Sequence, residues 1–93
     1  MNVDRVIHEP SRLAILTAVD ARGSVDFQPL QAITGMAKSN LSIHLSVLEA
    51  HGLVSLDKHF VEKRARTTVR LTADGKARLH AYRRLLGTTP KTI

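Results

Sequence analysis

Apolar positions along the chain fall into four stretches of helical spacing and two short alternating runs, with glycines close to where each stretch ends. The first helix is predicted to start near Pro10, a residue favoured at the first helical position, and to run to about residue 20, ahead of Gly23. On a helical wheel Leu13, Ala14, Ile15, Leu16, Ala18 and Val19 cover most of its circumference and leave Arg12, Thr17 and Asp20 on a narrow polar stripe. Such a helix is expected to be covered on two sides, by its own core and by something else. Residues 24–26 read as a short strand, and Asp26 as the N-cap of a second helix with Phe27, Leu30 and Ile33 at helical spacing. Pro29 is tolerable there because it sits in the first turn, and Gly35 ends the helix. A third helix is predicted over 38–51, with Leu41, Leu45 and Leu48 on one face and Gly52 as its stop.

Residues 53–56 and 67–71 are β-prone and alternate, so they read as a hairpin with the charged segment 57–66 as a flexible tip. Thr72 is a candidate cap for a fourth helix from 73 to about 86, ending at Gly87 and followed by a frayed tail over 88–93. That helix carries two apolar groups, Leu79, Tyr82 and Leu86 on one side and Ala77, Ala81 and Leu85 on another. One can pack inward while the other is left for a neighbour.

Ninety-three residues, 43% of them hydrophobic, fit a single domain over 1–93. A chain this short buries only about two-thirds of its unfolded surface, so a partner subunit would help it. The net charge of +6 points to a polyanionic partner. Residues 1–37 carry three basic and four acidic side chains, a net of −1, whereas residues 38–93 carry eleven and four, a net of +7. The basic footprint therefore lies in the second half. With 3% aromatic residues and no Trp, base stacking on aromatic platforms is disfavoured, which makes duplex the better expectation than single strand. No apolar run approaches a membrane span, and the opening MNVDRVIHEP lacks the core of a signal peptide, so a soluble cytoplasmic protein is expected.

If the three leucines of the third helix face the core, Ser39, Ser42, Ile43 and Ser46 lie outside, with Asn40 at their flank and Lys38 beside the N-terminus. A helix entering a major groove needs such short polar groups and few acids, because base edges and phosphates come close. Asn40 can pair bidentately with adenine, Ile43 can meet a thymine methyl, and Lys38 and the serines can bond phosphates. The plainer alternative is a solvent-facing surface with Asn40 as a helix-start residue. In the tip, Lys63, Arg64 and Arg66 are basic within four positions. Arg64 and Arg66 suit a narrow minor groove and Lys63 a phosphate; the alternative is an ordinary solvated charge run. Phe60 and Val61 are harder to place, folding back onto the sheet being one option.

The order helix, short strand, helix, turn, helix, hairpin, helix is that of an α+β, mostly helical winged helix-turn-helix domain with a three-helix core, a β-hairpin wing and a C-terminal dimerisation helix. Over nearly its whole length the chain resembles the small winged-helix transcriptional regulators of the MarR/ArsR type. The resemblance is carried by residues 8–16 (HEPSRLAIL), by 40–54 (NLSIHLSVLEAHGLV) and by 66–75 (RTTVRLTADG), three blocks in the family's order. It implies a homodimeric repressor or activator that binds double-stranded DNA. His44 matches a position commonly His in that family, between the core and the phosphate side of the recognition helix. The apolar first helix, the extra apolar residues Val3, Val6 and Ile7, and the doubly apolar last helix suggest a two-fold dimer through Val3, Val6, Ile7, Ile15, Ala81, Tyr82 and Leu85. Its target would be a pseudo-palindromic operator.

Zero Cys excludes disulfides, thiolate metal sites and Cys nucleophiles, and it closes the thiol-based sensing known in relatives. His8, His44, His51, His59 and His80 show no metal-ligand spacing, so no metal and no cofactor is expected. His8, His51 and His80 are open to a place near a subunit boundary, where titration would make dimerisation pH-sensitive. The carboxylates are scattered singly and there is no Gly-rich phosphate cradle, so an enzyme is not expected. No separate ligand-sensing segment fits in this length, and the sequence names no effector. Two other readings stay open: a winged-helix protein-interaction module without sequence-specific DNA binding, and a non-specific architectural DNA binder.

Overall fold

The computed structural model describes residues 3–87. Helix α1 spans Pro10–Arg22, strand β1 Ser24–Asp26, α2 Phe27–Thr34, α3 Lys38–Ala50, β2 Val54–Val61, β3 Arg64–Leu71 and α4 Ala73–Leu85. The winged helix-turn-helix arrangement is the expected one. The tail expected to fray over 88–93 lies outside the described residues.

Proline at the first position starts α1, and the Glu9 carboxylate caps it by accepting from the Arg12 N–H at 2.8 Å. The Thr72 hydroxyl caps α4 in the same way, accepting from the Gly75 N–H at 2.9 Å. Asp26 precedes α2 but makes no side-chain cap; its carboxylate accepts instead from the Thr68 hydroxyl at 2.6 Å. The cap expected there is replaced by a cross-strand bond, because β1 pairs with β3 and sets Asp26 opposite Thr68.

The core gathers on α1, whose Ile15, Leu16, Ala18 and Val19 are buried with Leu30, with Leu41, Leu45 and Leu48 of α3, with Leu53 just ahead of β2, and with Val25, Val54 and Val69 of the sheet. Leu79 and Tyr82 of α4 and Ile7 of the N-terminal turn complete it. Polar contacts pin α4 in place. Arg83 donates to Asp20 at 3.1 Å, the Tyr82 hydroxyl bonds to His8 Nδ1 at 2.7 Å, and Arg78 holds Asp4 at 2.9 and 3.2 Å. Thus the all-round apolar surface of α1 is largely used within the chain. Ile7 and Ile15, expected at a subunit boundary, are both 0% exposed, and Tyr82 is 6% exposed. These three are corrected to core residues.

The sheet has the order β1-β3-β2 and is antiparallel throughout. The largest departure from expectation is in the wing. In place of a flexible tip over 57–66, paired strands run out to Val61 and Arg64, closed by the two-residue turn Glu62-Lys63. Both turn residues have positive φ, 50° and 68°, the geometry that matches the twist of a two-stranded ribbon. Asn and Gly usually signal such a turn; Glu and Lys do not, and a charge run of this kind otherwise reads as loop.

Gly75 is needed for close approach rather than for its backbone angle: a Cβ there would overlap the backbone carbonyl of Leu53, where α4 crosses the start of the hairpin. Gly75→Ala is expected to destabilise the fold by about 2–3 kcal/mol, read as a lower midpoint in urea or heat. A midpoint equal to wild type would contradict this packing.

Burial pushes the Asp4 carboxyl up, but hydrogen bonds and charge from Arg78 and the N–H groups of Ile7 and Val6 outweigh it and hold the group below its ordinary 3.8. A depressed carboxyl adds stability above its unfolded value and loses it as pH falls through the folded one. Asp4→Asn is therefore expected to cost roughly 1 kcal/mol at neutral pH, the partly exposed pair being screened, and nothing once acid has protonated the wild-type carboxyl. Denaturation curves at neutral and strongly acid pH check both arms.

Candidate nucleic-acid interface

The turn Gly35-Met36-Ala37 delivers the chain into α3 after a left-handed Gly35 at φ 71°. Because Leu41, Leu45 and Leu48 are 0%, 2% and 0% exposed, the rotation of α3 is fixed. Ser39, Asn40, Ser42, Ile43 and Ser46 then face solvent, with Lys38 at the N-terminus also exposed. Ile43 is 60% exposed, an apolar residue held in water. No side chain caps the start of α3, which leaves its first N–H groups to solvent or to an anion. His44 is half-buried, and its Nδ1 is buried without a hydrogen-bond partner among the described residues.

The wing approaches this face directly. A cleft of about 450 Å³ is lined by Lys38, Ser42 and Ser46 of α3, by Phe27, Gln28 and Gln31 of α2, and by Lys58, Arg64, Arg66 and Thr67 of the wing. Asp26 is the one acid in its lining, against the cations of Lys38, Lys58, Arg64 and Arg66. Such a concavity focuses positive potential where a phosphate chain would lie. Asp26 also lies 3.7 Å from Arg66, so the guanidinium is tethered at the edge of the cleft and is not freely solvated.

Of the residues expected to bind nucleic acid, the structure brings Lys38, Ser42, Ser46, Arg64 and Arg66 to this one cleft. Ser39, Asn40 and Ile43 are exposed on α3 without lining it, and Lys63 stands in the turn at the end of the ribbon. Lys58, Gln28, Gln31 and Thr67 were not singled out from the sequence. A signal for Lys58 was present: it continues the alternation of Val54 and Leu56 on the face that begins in the core, and it pairs with Thr67. Of the two apolar groups of α4, Leu79 and Tyr82 are buried but Leu86, grouped with them, is 37% exposed, and Ala77, Ala81 and Leu85 are exposed; Val3 and Val6 are partly buried against the core. Among the described residues no cluster of His, Asp or Glu could hold a metal ion, and no helix is long and apolar enough to cross a membrane.

A helix-turn-helix with a paired wing beside an exposed, acid-poor third helix defines a winged-helix protein of the nucleic-acid-binding class. The chain belongs to the family of the winged helix DNA-binding domain, whose model matches residues 11–89. Among solved structures it is similar to a transcriptional regulator homologue from Pyrococcus horikoshii OT3, with 28% identity, a TM-score of 0.84, and coverage of 91% of this chain and 84% of that one. It is also similar to a MarR family transcriptional regulator from Silicibacter pomeroyi, at 27% identity and a TM-score of 0.71, covering 84% of this chain but 52% of that one. The repressor CouR, solved on a 23-mer DNA duplex, shares the fold at 24% identity and a TM-score of 0.77, covering 90% of this chain and 58% of that one. No curated protein matches the sequence. The chain thus spans most of the Pyrococcus horikoshii protein and little over half of the other two.

The tether on Arg66 has a measurable consequence. Asp26→Asn keeps an acceptor for the Thr68 hydroxyl and removes the only carboxylate that a phosphate would meet among the cleft's lining residues. It is expected to raise affinity for a random duplex about threefold at low salt, with little change at high salt. Anisotropy titrations at two salt concentrations read this; weaker binding at low salt would mean that the carboxylate helps rather than competes.

Proposed function

We propose that this protein is a sequence-specific transcriptional regulator of double-stranded DNA that acts as a homodimer in the cytoplasm. It lays α3 in a major groove and its wing against the adjacent minor groove or backbone. The observation that carries the reading is the shared cleft: the exposed face of α3 and the cationic side of the wing border the same concavity. Asn40 and Ile43 then read base edges, while Lys38, Ser39, Ser42, His44 and Ser46 bond phosphates or flanking bases. Lys63, Arg64 and Arg66 supply wing contacts, and Lys58 joins them from the cleft wall. CouR's complex with a duplex supports the same use of this fold.

Two copies would meet through Val3, Val6, Ala81 and Leu85, the members of the expected dimer set that keep surface outside the core. A two-fold axis there presents two α3 helices to half-sites about 10 base pairs apart or a multiple of that, hence a pseudo-palindromic operator.

The test is anisotropy or gel retardation on a duplex selected by the wild-type protein from a random pool, against a scrambled duplex, across a salt series. Arg64→Ala with Arg66→Ala is expected to weaken both complexes and to flatten the salt slope by roughly two counterions. Ile43→Ala is expected to lose about fivefold on the selected duplex and little on the scrambled one. Equal losses on both would remove Ile43 from base reading, and an unchanged slope would remove the wing. No retention of any duplex at low salt would overturn the reading in favour of a protein-interaction module.

A further inference from the structure

The chain has three aromatic residues apart from histidine, Phe27, Phe60 and Tyr82, and the fold covers two of them. Tyr82 is buried and Phe27 is packed against the core, but Phe60 is 76% exposed although it sits inside a regular strand. The register explains why. Phe60 stands across from Ala65, whose methyl group shields little of a ring, and beyond it lie only the Val61–Arg64 pair, on the opposite face, and the Glu62-Lys63 turn. Alternation puts Phe60 on the same face of the ribbon as Leu56, which packs on the core, and Lys58, which lines the cleft. The ring therefore projects from the outer end of the wing, on the side that faces α3, with Lys58 on the same face of the ribbon and the Glu62-Lys63 turn next along the chain, while Arg64 and Arg66 stand on the opposite face of a tip whose net charge is positive.

A bare aromatic ring at the end of a ribbon that carries four basic side chains and one acid over residues 58–66 is poorly matched to a second copy of the same patch, since like charges would have to be brought together. It is well matched to a polyanion with an apolar interior. Duplex DNA offers that combination, phosphates at the rim of the minor groove and stacked bases at its floor, and apolar side chains are known to wedge between base steps there. Steps of pyrimidine followed by purine open most easily. We propose that Phe60 is a wedge that enters the minor groove beside the half-site and partly unstacks a pyrimidine–purine step. The identity of the step beneath the wing then adds to specificity without any hydrogen bond to a base.

This rests on the DNA-binding reading above, and the experiment separates the two. The wild-type protein's selected duplex is substituted with 2-aminopurine at successive adenines in the region beside the half-site, and fluorescence is followed on binding. Wild type is expected to give a rise at one step, marking an unstacked base. Phe60→Ala is expected to abolish that rise and to weaken binding about fivefold, with the salt slope unchanged because no charge is removed. Phe60→Leu, which keeps an apolar wedge, should retain most of both. Exposure of the ring makes loss of folding the wrong explanation, and equal thermal midpoints for the three proteins check this. Phe60→Ala binding as tightly as wild type with the same fluorescence overturns the wedge alone. A wild-type protein that retains no duplex overturns the wedge together with the reading on which it rests.

Discussion

Burial of three leucines on one side of α3 decides what every other surface of this protein can present. Leu41, Leu45 and Leu48 sit at spacings of four and three, the pair of intervals that keeps side chains on one helical face, and all three are removed from water. Truncating any one of them would be costly, about 2–5 kcal/mol for a buried leucine, so the helix has no alternative rotation of comparable energy. A rotation of one residue would carry a leucine into solvent and a serine into the core, where its hydroxyl would need a partner. The outward direction of Ser39, Ser42, Ile43 and Ser46 follows from that arithmetic.

The second constraint is the continuity of the sheet. Val69 pairs with both Val25 and Leu56, so the same strand that closes the core runs on into the wing, and the ribbon leaves the domain as a stiff extension of it. The backbone at Lys58, Arg64 and Arg66 is consequently placed by strand pairing rather than by a free loop. A site built on paired strands and a packed helix is preorganised in a way that a free loop is not, since less conformational entropy is lost when a ligand is met. Asp26 belongs to this scaffold twice over, as the register partner of Thr68 and as the counter-charge of Arg66. The wing is thereby tied to the strand that precedes α2.

The helices and their order were legible in the amino-acid sequence because each is delimited by local chemistry: Pro10 at a start, Thr72 as a cap, Gly23, Gly35 and Gly52 beyond the ends. The exposed face of α3 was legible for the same reason, through the spacing of its leucines. Three things were not. The paired length of the wing depends on cross-strand register, and a polar ribbon ending in a Glu-Lys turn resembles a loop when read one residue at a time. The role of Asp26 depends on a strand more than forty residues away, which propensity for capping cannot reveal. The surface left for a second subunit depends on how much of α1 its own chain covers; Ile15 looks available on a wheel and Ile7 as an apolar residue ahead of it, and both are fully buried, with Asp4 of the N-terminal turn held to α4 by Arg78.

A duplex bound as proposed would lie across α3 and the wing, with a phosphate strand in the cleft between them. Backbone amide chemical shifts followed by NMR while the selected duplex is titrated in at low salt test it most directly. The account predicts the largest changes over residues 38–46 and 58–67, with Gln28 and Gln31 of α2 moving along with them. Large changes confined to the outer side of α4, or spread evenly over the basic residues of the chain, would contradict it.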